Sequence, residues 1–175
     1  MLASIEPGAP PEAEWRIYHD TTQEEALAEP VISEKILVHN HLIAMGSGWG
    51  HAARNSFLDS DLDLGDDYWL YFLDDDNLLH PGFWAKAIEL IRDHPEAGMF
   101  IFQQERAPGI FPEINLARCY VDMAQAVFRR SFIGDERFAM HYEADGDFIM
   151  RLHDREPGRV KVDQTVLCYY NRLRW

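Results

Sequence analysis

The stretch that most constrains this chain runs from Tyr68 to Asn77, where an apolar run leads directly into three consecutive carboxylates. The run itself, Tyr68 to Leu73, contains only apolar and aromatic residues, with Asp66 and Asp67 before it and Pro81 soon after it. A continuous apolar run of this length predicts a strand that is buried on both faces. Strands of that kind occur in α/β sheets, where ligands bind at the carboxyl ends of the strands.

The carboxylates after this strand are Asp74, Asp75 and Asp76, and Asn77 follows them. Three adjacent carboxylates repel one another, and burying them without partners is costly in free energy. A divalent cation compensates this charge most simply, and oxygen ligands suit Mg²⁺ or Mn²⁺. The alternative is a solvated acidic turn in which Asn77 caps the following helix. The position of the acids directly after a buried strand favours metal binding.

The overall composition indicates one globular domain. The 175 residues are 47% hydrophobic and 13% aromatic, which is enough for a substantial core and unlike a disordered chain. The net charge of −14 argues against a general binder of nucleic acids or anionic membranes. An anionic substrate stays compatible with this charge where a metal ion and nearby arginines invert the local field.

The cysteine pattern and the hydropathy of the chain indicate the cellular compartment in which the protein is expected. Cys119 and Cys168 lie far apart without metal-ligand spacing, so we interpret both as reduced structural thiols, although a disulfide stays open. No run approaches the roughly 20 apolar residues of a membrane span. The apolar start, Met1 to Ile5, is too short for a signal peptide. We therefore expect a cytoplasmic protein with no transmembrane segment.

The apolar patterns alternate between strand and helix along the chain, which indicates an α/β fold. Strands are predicted for Trp15–His19, Ile36–Val38, Gly98–Phe102, Val127–Phe128 and Val160–Tyr170. Helices are predicted for His51–Leu58, Pro81–His94 and Tyr142–His153, with a short helix through Leu27. Residues 103–120 are predicted to be irregular, and a segment of that length is suited to a lid. No linker or repeat interrupts the chain, so residues 1–175 form a single predicted domain.

A second acidic cluster runs from Glu143 to Asp147 at the start of the last predicted helix. Carboxylates at a helix start are stabilised by the helix dipole, which is a purely structural explanation. If Asp145 faces the same pocket as the metal ion, it becomes a candidate general base.

His141 and His153 lie on either side of this acid, and one of them would be able to complete a metal shell. Four histidines earlier in the chain are predicted to be surface or capping groups: His19, His39, His41 and His51.

A glycine-rich segment, Gly46 to Gly50, leads into the helix that carries Arg54 and Asn55. Backbone N–H groups of such a segment, together with a guanidinium, would bind phosphate oxygens. The segment lacks the lysine of a P-loop and the preceding strand of a dinucleotide site, so it is weak evidence alone.

Taken in chain order, these motifs resemble the GT-A glycosyltransferases, most closely those of the family 2 type. The motifs are Trp15…Asp20, Gly50-His51-Ala52-Ala53-Arg54-Asn55, Tyr68–Asn77 with His80-Pro81, and Ala144-Asp145-Gly146-Asp147-Phe148 with Arg151. The resemblance covers about Leu2 to Arg174 and implies a Rossmann-like sandwich around a mixed, mostly parallel central sheet. It also implies that the usual first strand is missing, because Leu2–Ile5 matches the close of the helix that follows that strand.

The resemblance implies a nucleotide-diphosphate sugar as donor, Mn²⁺ or Mg²⁺ as cofactor, and a saccharide or other hydroxyl compound as acceptor. Asp20 matches the acid that contacts the nucleotide base or ribose, and Arg54 matches the basic residue that holds the nucleotide. Asp74 and Asp76 match the Asp-x-Asp pair that binds the metal ion, with Asp76 the expected direct ligand. Asp74 or Asp75 would lie nearer the ribose.

Asp145 matches the catalytic base of inverting members, although the residue before it, commonly Glu, is here Ala144. The expected function is therefore metal-dependent, inverting sugar transfer. One alternative is a non-catalytic nucleotide- or metal-binding remnant, which the missing first strand would favour. A more distant alternative is a haloacid dehalogenase-type phosphatase, which also has Asp-x-Asp after an apolar strand. That family expects Thr or Val two residues after the second Asp, where this chain has Leu78.

Overall fold

The computed structural model describes residues 2–22, 32–44, 50–60, 67–109, 113–116 and 120–171. Its strands are β1 (Glu14–Asp20), β2 (Leu37–Ile43), β3 (Trp69–Tyr71), β4 (Leu78–Leu79), β5 (Met99–Glu105), β6 (Ala126–Arg129) and β7 (Val160–Tyr169). Its α-helices are α1 (Leu2–Ile5), α2 (His51–Asp59), α3 (Phe83–Asp93), α4 (Arg130–Ile133) and α5 (Ala144–Arg155). Short 3₁₀ turns lie at Met123–Gln125 and Pro157–Arg159. The helix predicted through Leu27, the glycine-rich residues 46–49 and Cys119 fall outside the described residues.

Most of the strands form one mixed sheet with the order β3-β6-β5-β7-β4. β5 pairs in parallel with β7, whereas β6 is antiparallel to both β3 and β5, and β4 is antiparallel to β7. Three of these five strands, β3, β5 and β7, therefore run in the same direction. β1 and β2 form a second, parallel sheet of two strands. The predicted α/β class with a mixed central sheet is confirmed, although most pairings within the five-stranded sheet are antiparallel.

The core has one layer on each side of the sheet. On one side, Phe57 of α2 and Phe148 of α5 pack with Ile101 of β5. On the other side, Phe83 of α3 packs with Phe100 of β5, the next position along the same strand. Because neighbouring residues of a strand face opposite sides, helices cover both faces and the architecture is a three-layer α/β/α sandwich.

β3 has both faces covered, as the apolar run predicts, but it is shorter than the run. Leu70 packs into the core beneath α2 and α5, and Trp69 and Tyr71 pack against the opposite core. β3 lies at one end of the order of the five-stranded sheet. Its ladder ends at Tyr71, so two residues separate the strand from Asp74. The acids were predicted to follow the strand with no intervening loop, and the structure places only Phe72 and Leu73 between them.

The structure tests part of the predictions that concern the cysteines and the membrane-spanning segments. Cys168 of β7 is a free, buried thiol, and burial raises its pKa to about 12, so it is unreactive at neutral pH. Among the described residues, every helix falls short of the length and hydrophobicity that a membrane crossing requires.

Candidate active site at the carboxyl ends of the strands

The direction of the strands brings the polar residues of the site to one edge of the sheet. Because β3, β5 and β7 run in the same direction, their carboxyl ends meet at this edge. β6 runs the opposite way and begins there, so Asp122, just before the 3₁₀ turn that leads into β6, lies at the same edge as the acids after β3.

The acidic segment Asp74–Asn77 forms a tight turn. The Asn77 N–H donates to the carbonyl of Asp74 at 3.2 Å, and this bond places Asp75 in the solvent while Asp76 is only 8% exposed. The side-chain oxygen of Asn77 accepts from the Asn171 N–H at 2.7 Å. Asn77 therefore ties the turn to the residues after β7, and the interpretation of Asn77 as the cap of the following helix is wrong, because α3 is capped by Gly82.

Arg54 joins the acidic turn to the second acidic cluster. Its Nη1 donates to Oδ1 of Asp145 at 2.6 Å, and its Nη2 donates to Oδ1 of Asp74. The Arg54 side chain is only 7% exposed, so this ion pair is shielded from water on the arginine side. The structure thus brings the predicted donor-binding residue, the first acid of Asp-x-Asp and the predicted base into direct contact.

His51 also belongs to this cluster, which corrects its prediction as a surface or capping group. It is 1% exposed, and its Nε2 lies 3.1 Å from the carbonyl oxygen of His141. Its Nδ1 lies 3.2 Å from Nη1 of Arg54. Burial first, and then the charge of Arg54, lower the pKa of His51. The spacing of three residues between His51 and Arg54 on one helix was a signal for this contact.

Phe138 and Asn55 hold α2 in place behind the site. The Asn55 amide donates to the carbonyl of Phe138 at 2.9 Å and accepts from its N–H at 2.8 Å. The Phe138 ring stacks on His51 at 5.8 Å between centroids, and the Arg54 guanidinium carbon lies 5.4 Å from the same ring. The two residues of the Arg-Asn pair therefore have different roles: Arg54 faces the acids and Asn55 secures the helix.

Asp122 is a site residue that the sequence did not reveal. Its side chain accepts from the Ala124 N–H at 2.9 Å in a capping box with Gln125. Burial, and then the charge of Asp74, raise the pKa of Asp122 to about 7. Burial also raises the pKa of Asp145 to about 6, although Arg54 acts in the opposite direction. The capping box was visible in the sequence, but it indicates only a local structural role.

The other predicted site residues have separate positions. Asp20 is the last residue of β1, and its side chain lies outside the described part of the structure. His141 Nε2 lies 3.3 Å from Oδ2 of Asp147, and His153 pairs with the neighbouring Asp154. These contacts place both histidines beside acids other than Asp74 and Asp76.

The carboxylates of Asp74 and Asp76 would hold a metal ion only if a bound ligand supplied the remaining coordinating atoms. The described residues contain no group of three or more His, Cys, Asp or Glu side chains that would hold a metal ion by themselves. Asp74 and Asp76 lie in one turn and provide oxygen ligands, and Mg²⁺-type sites commonly use one or two carboxylates together with phosphate oxygens of the substrate. Burial is the main cause of the raised pKa values of Asp122 and Asp145, and the charge of Asp74 contributes to both.

Comparison with known proteins identifies a solved structure with a similar fold. No family model matches the sequence, and no curated protein matches it. The structure is similar to the crystal structure of residues 1–349 of S. aureus TarS, with a TM-score of 0.71 and 17% sequence identity. The match covers 96% of this chain and 53% of the TarS chain, so this chain spans about half the length of that structure. TarS is a GT-A-like glycosyltransferase, and at this identity the likeness shows a shared glycosyltransferase fold.

Proposed function

We propose that this protein transfers a sugar from a nucleotide-diphosphate donor to an acceptor hydroxyl group, with a divalent metal ion and with inversion at the transferred carbon. The observation that carries the proposal is the contact of Arg54 with both Asp74 and Asp145. One guanidinium then lies between the acid assigned to the donor and the acid assigned to the acceptor. The glycosyltransferase fold supports sugar transfer in general.

On the donor side, Asp76 and Asp74 would hold Mn²⁺ or Mg²⁺, and Asp20 and Asp75 would contact the nucleoside. The bound ion would act as a Lewis acid that stabilises the charge on the departing diphosphate. Arg54 would donate to the diphosphate oxygens, since a guanidinium matches the geometry of phosphate groups. The buried position of Arg54 strengthens this interaction, because the surrounding protein excludes water from its charge.

On the acceptor side, Asp145 would accept the proton of the acceptor hydroxyl. The acceptor oxygen forms its bond to the sugar carbon while the bond from that carbon to the diphosphate oxygen breaks, and the electron pair leaves with the diphosphate. Attack on the face opposite the leaving group inverts the configuration. A pKa of about 6 suits this task, because Asp145 is then ionised at neutral pH and still basic enough to take a proton.

A second candidate function is nucleotide or metal binding without catalysis. The observation that favours it is the same ion pair, because a carboxylate that already accepts from Arg54 at 2.6 Å is a weaker base. The two functions differ in whether Asp145, while it pairs with Arg54, still takes the proton of an acceptor hydroxyl once a donor is bound. The distant alternative, a haloacid dehalogenase-type phosphatase, has no support from the observed fold likeness.

The experiment combines binding and turnover. Titration of UDP-, GDP- and ADP-sugars with and without Mn²⁺ is followed by an assay for nucleoside diphosphate release, with and without simple sugar acceptors. We expect Asp145→Asn to bind the donor normally and to lose turnover by at least about 100-fold. Asp154→Asn, an exposed acid of the same helix, is the matched control and should keep full activity. Binding without turnover in the unmodified protein would favour the second candidate, and no binding would contradict both.

A further inference from the structure

We propose that His51 is a positioning residue, and that a neutral imidazole with its hydrogen on Nε2 holds the Arg54 guanidinium in the orientation that faces Asp74 and Asp145. The protonation state and the contact follow from hydrogen-bond geometry alone. The effect of His51 on ligand binding rests on the proposed function. The tautomer and the effect on binding are therefore tested separately.

Two hydrogen-bond partners of the imidazole indicate which nitrogen carries the hydrogen. Nε2 lies 3.1 Å from the carbonyl oxygen of His141, and a carbonyl only accepts, so Nε2 must donate. Nδ1 lies 3.2 Å from Nη1 of Arg54, and a guanidinium only donates, so Nδ1 must accept. One form of the ring satisfies both bonds, which is the neutral tautomer with hydrogen on Nε2.

The charged groups around the ring are consistent with this form. Arg54 faces it from the same helix, Asp145 faces it from α5, and His141 from the segment before α5. Asp74, from the turn after β3, also acts on the ring through its charge. Nδ1 lies 3.6 Å from Oδ1 of Asp145, but a nitrogen without hydrogen does not donate, so the Arg54 N–H makes the bond to Asp145 instead.

His51 thereby completes the set of contacts that orients the guanidinium. Nη1 carries two hydrogens, and its two acceptors are Asp145 Oδ1 at 2.6 Å and His51 Nδ1 at 3.2 Å. Nη2 donates to Asp74. A planar guanidinium with acceptors on both terminal nitrogens has one orientation. The imidazole is itself fixed, because it stacks on Phe138 with an angle of 1° between the rings and is 1% exposed.

The effect on function is a lower cost of binding an anionic ligand. A side chain that already has its bound orientation loses less conformational freedom when the ligand arrives. The ligand that the proposed function supplies is the diphosphate group of the donor. His51 would act on that group only through Arg54, so its loss should weaken the affinity for diphosphate and leave the rest of the site in place.

The first test examines the ring without any ligand. The protein is labelled with ¹⁵N at histidine side chains, and the ring nitrogens of His51 are measured at neutral pH, with assignment from the spectrum of His51→Asn. We expect a protonated Nε2 and an unprotonated Nδ1. A ring with hydrogen on Nδ1, or a doubly protonated ring, would overturn the inference whatever the protein binds.

The second test compares two substitutions by calorimetric titration of UDP, GDP and ADP in the presence of Mn²⁺. His51→Asn places an amide oxygen near the position of Nδ1 and should keep the affinity of the preferred diphosphate within about threefold. His51→Phe keeps the stacking on Phe138 but has no acceptor, and it should weaken that affinity about tenfold, which corresponds to one lost hydrogen bond.

Equal losses in the two variants, or no loss in His51→Phe, would overturn the positioning role. His94→Phe, a substitution at a partly exposed histidine that pairs with Glu96, is the control and should bind like the unmodified protein. If the unmodified protein binds none of the three diphosphates, the proposed function fails, and the ring spectrum alone decides the role of His51 toward Arg54.

Discussion

Nη1 of Arg54 lies 2.6 Å from Oδ1 of Asp145, although the two residues are 91 positions apart in the chain. The contact joins the first turn of α2 to the first turn of α5, and the same guanidinium reaches Asp74 after β3. One buried cation therefore balances two acids that different elements supply. The chemistry proposed for this protein, and its dependence on pH, both follow from this arrangement.

Replacing Arg54 should destabilise the fold as well as the site. In Arg54→Met, Asp74 and Asp145 lose their counter-charge while the apolar volume is kept, and we expect a loss of about 3 kcal/mol in the free energy of unfolding. Urea denaturation measures this loss. Arg92→Met removes an exposed arginine that pairs with Asp93, and it should leave the free energy of unfolding almost unchanged. Equal effects in the two variants would show that the Arg54 pair contributes no more than a surface ion pair.

The contribution of Asp122 to the free energy of unfolding should fall as the pH rises from about 5 to about 7.5, whereas the lowered pKa of His51 acts in the opposite direction. Burial raises the pKa of Asp122 to about 7 from an ordinary value of 3.8, so between these values the folded state binds more protons than the unfolded state. Stability decreases with pH wherever the folded state binds more protons. Asp145, with a pKa of about 6, acts in the same direction. Denaturation of Asp122→Asn at several pH values should show a flatter dependence, by roughly 0.5 to 1 kcal/mol per pH unit.

The exposed Asp154→Asn serves as the control for this pH series, and its dependence should follow that of the unmodified protein. If Asp122→Asn also follows the unmodified protein, the raised pKa of Asp122 is contradicted. The slope that remains in Asp122→Asn combines the contribution of Asp145 with the opposite contributions of His41 and His51, whose pKa values are lowered in the folded state.

Asp76→Ala should weaken the uptake of Mn²⁺ together with a nucleoside diphosphate, because it removes the less exposed carboxylate of the acidic turn. Calorimetry with UDP, GDP and ADP should show a loss of at least about tenfold in affinity. Asp67→Ala, an exposed acid that precedes β3 and pairs with Arg129, is the control. Unchanged manganese uptake and unchanged sugar transfer in Asp76→Ala would contradict the proposed metal site.

Gly98 should tolerate no side chain. A Cβ atom at this position would lie 2.2 Å from the ring of Phe132, and the ring is buried, so neither group has room to move. We expect Gly98→Ala to cost more than about 3 kcal/mol of unfolding free energy or to prevent folding. Gly158→Ala is the matched control, because a Cβ atom there would meet no atom within 4 Å beyond the adjacent chain itself. Similar thermal stability of the two variants would contradict the packing described at Gly98.

The sequence predicted the elements that local pattern determines. The apolar run before Asp74 predicted β3, and the helical spacing predicted α2, α3 and α5 to within a few residues. The α/β class followed from the alternation of these elements. These predictions succeed because the period of apolar residues depends on the geometry of a single strand or helix. The acids after β3 and at the start of α5 were visible for the same reason, since each is a run of neighbouring residues.

The tertiary structure alone decided which of these residues meet. It brought Asp122 to the acids, buried His51 against Arg54, and turned Asn77 toward Asn171 instead of a helix. Each contact depends on the order and direction of the strands and on the position of α2 over the sheet. Those features come from long-range packing, in which residues from distant parts of the chain share one core, and no local period records them.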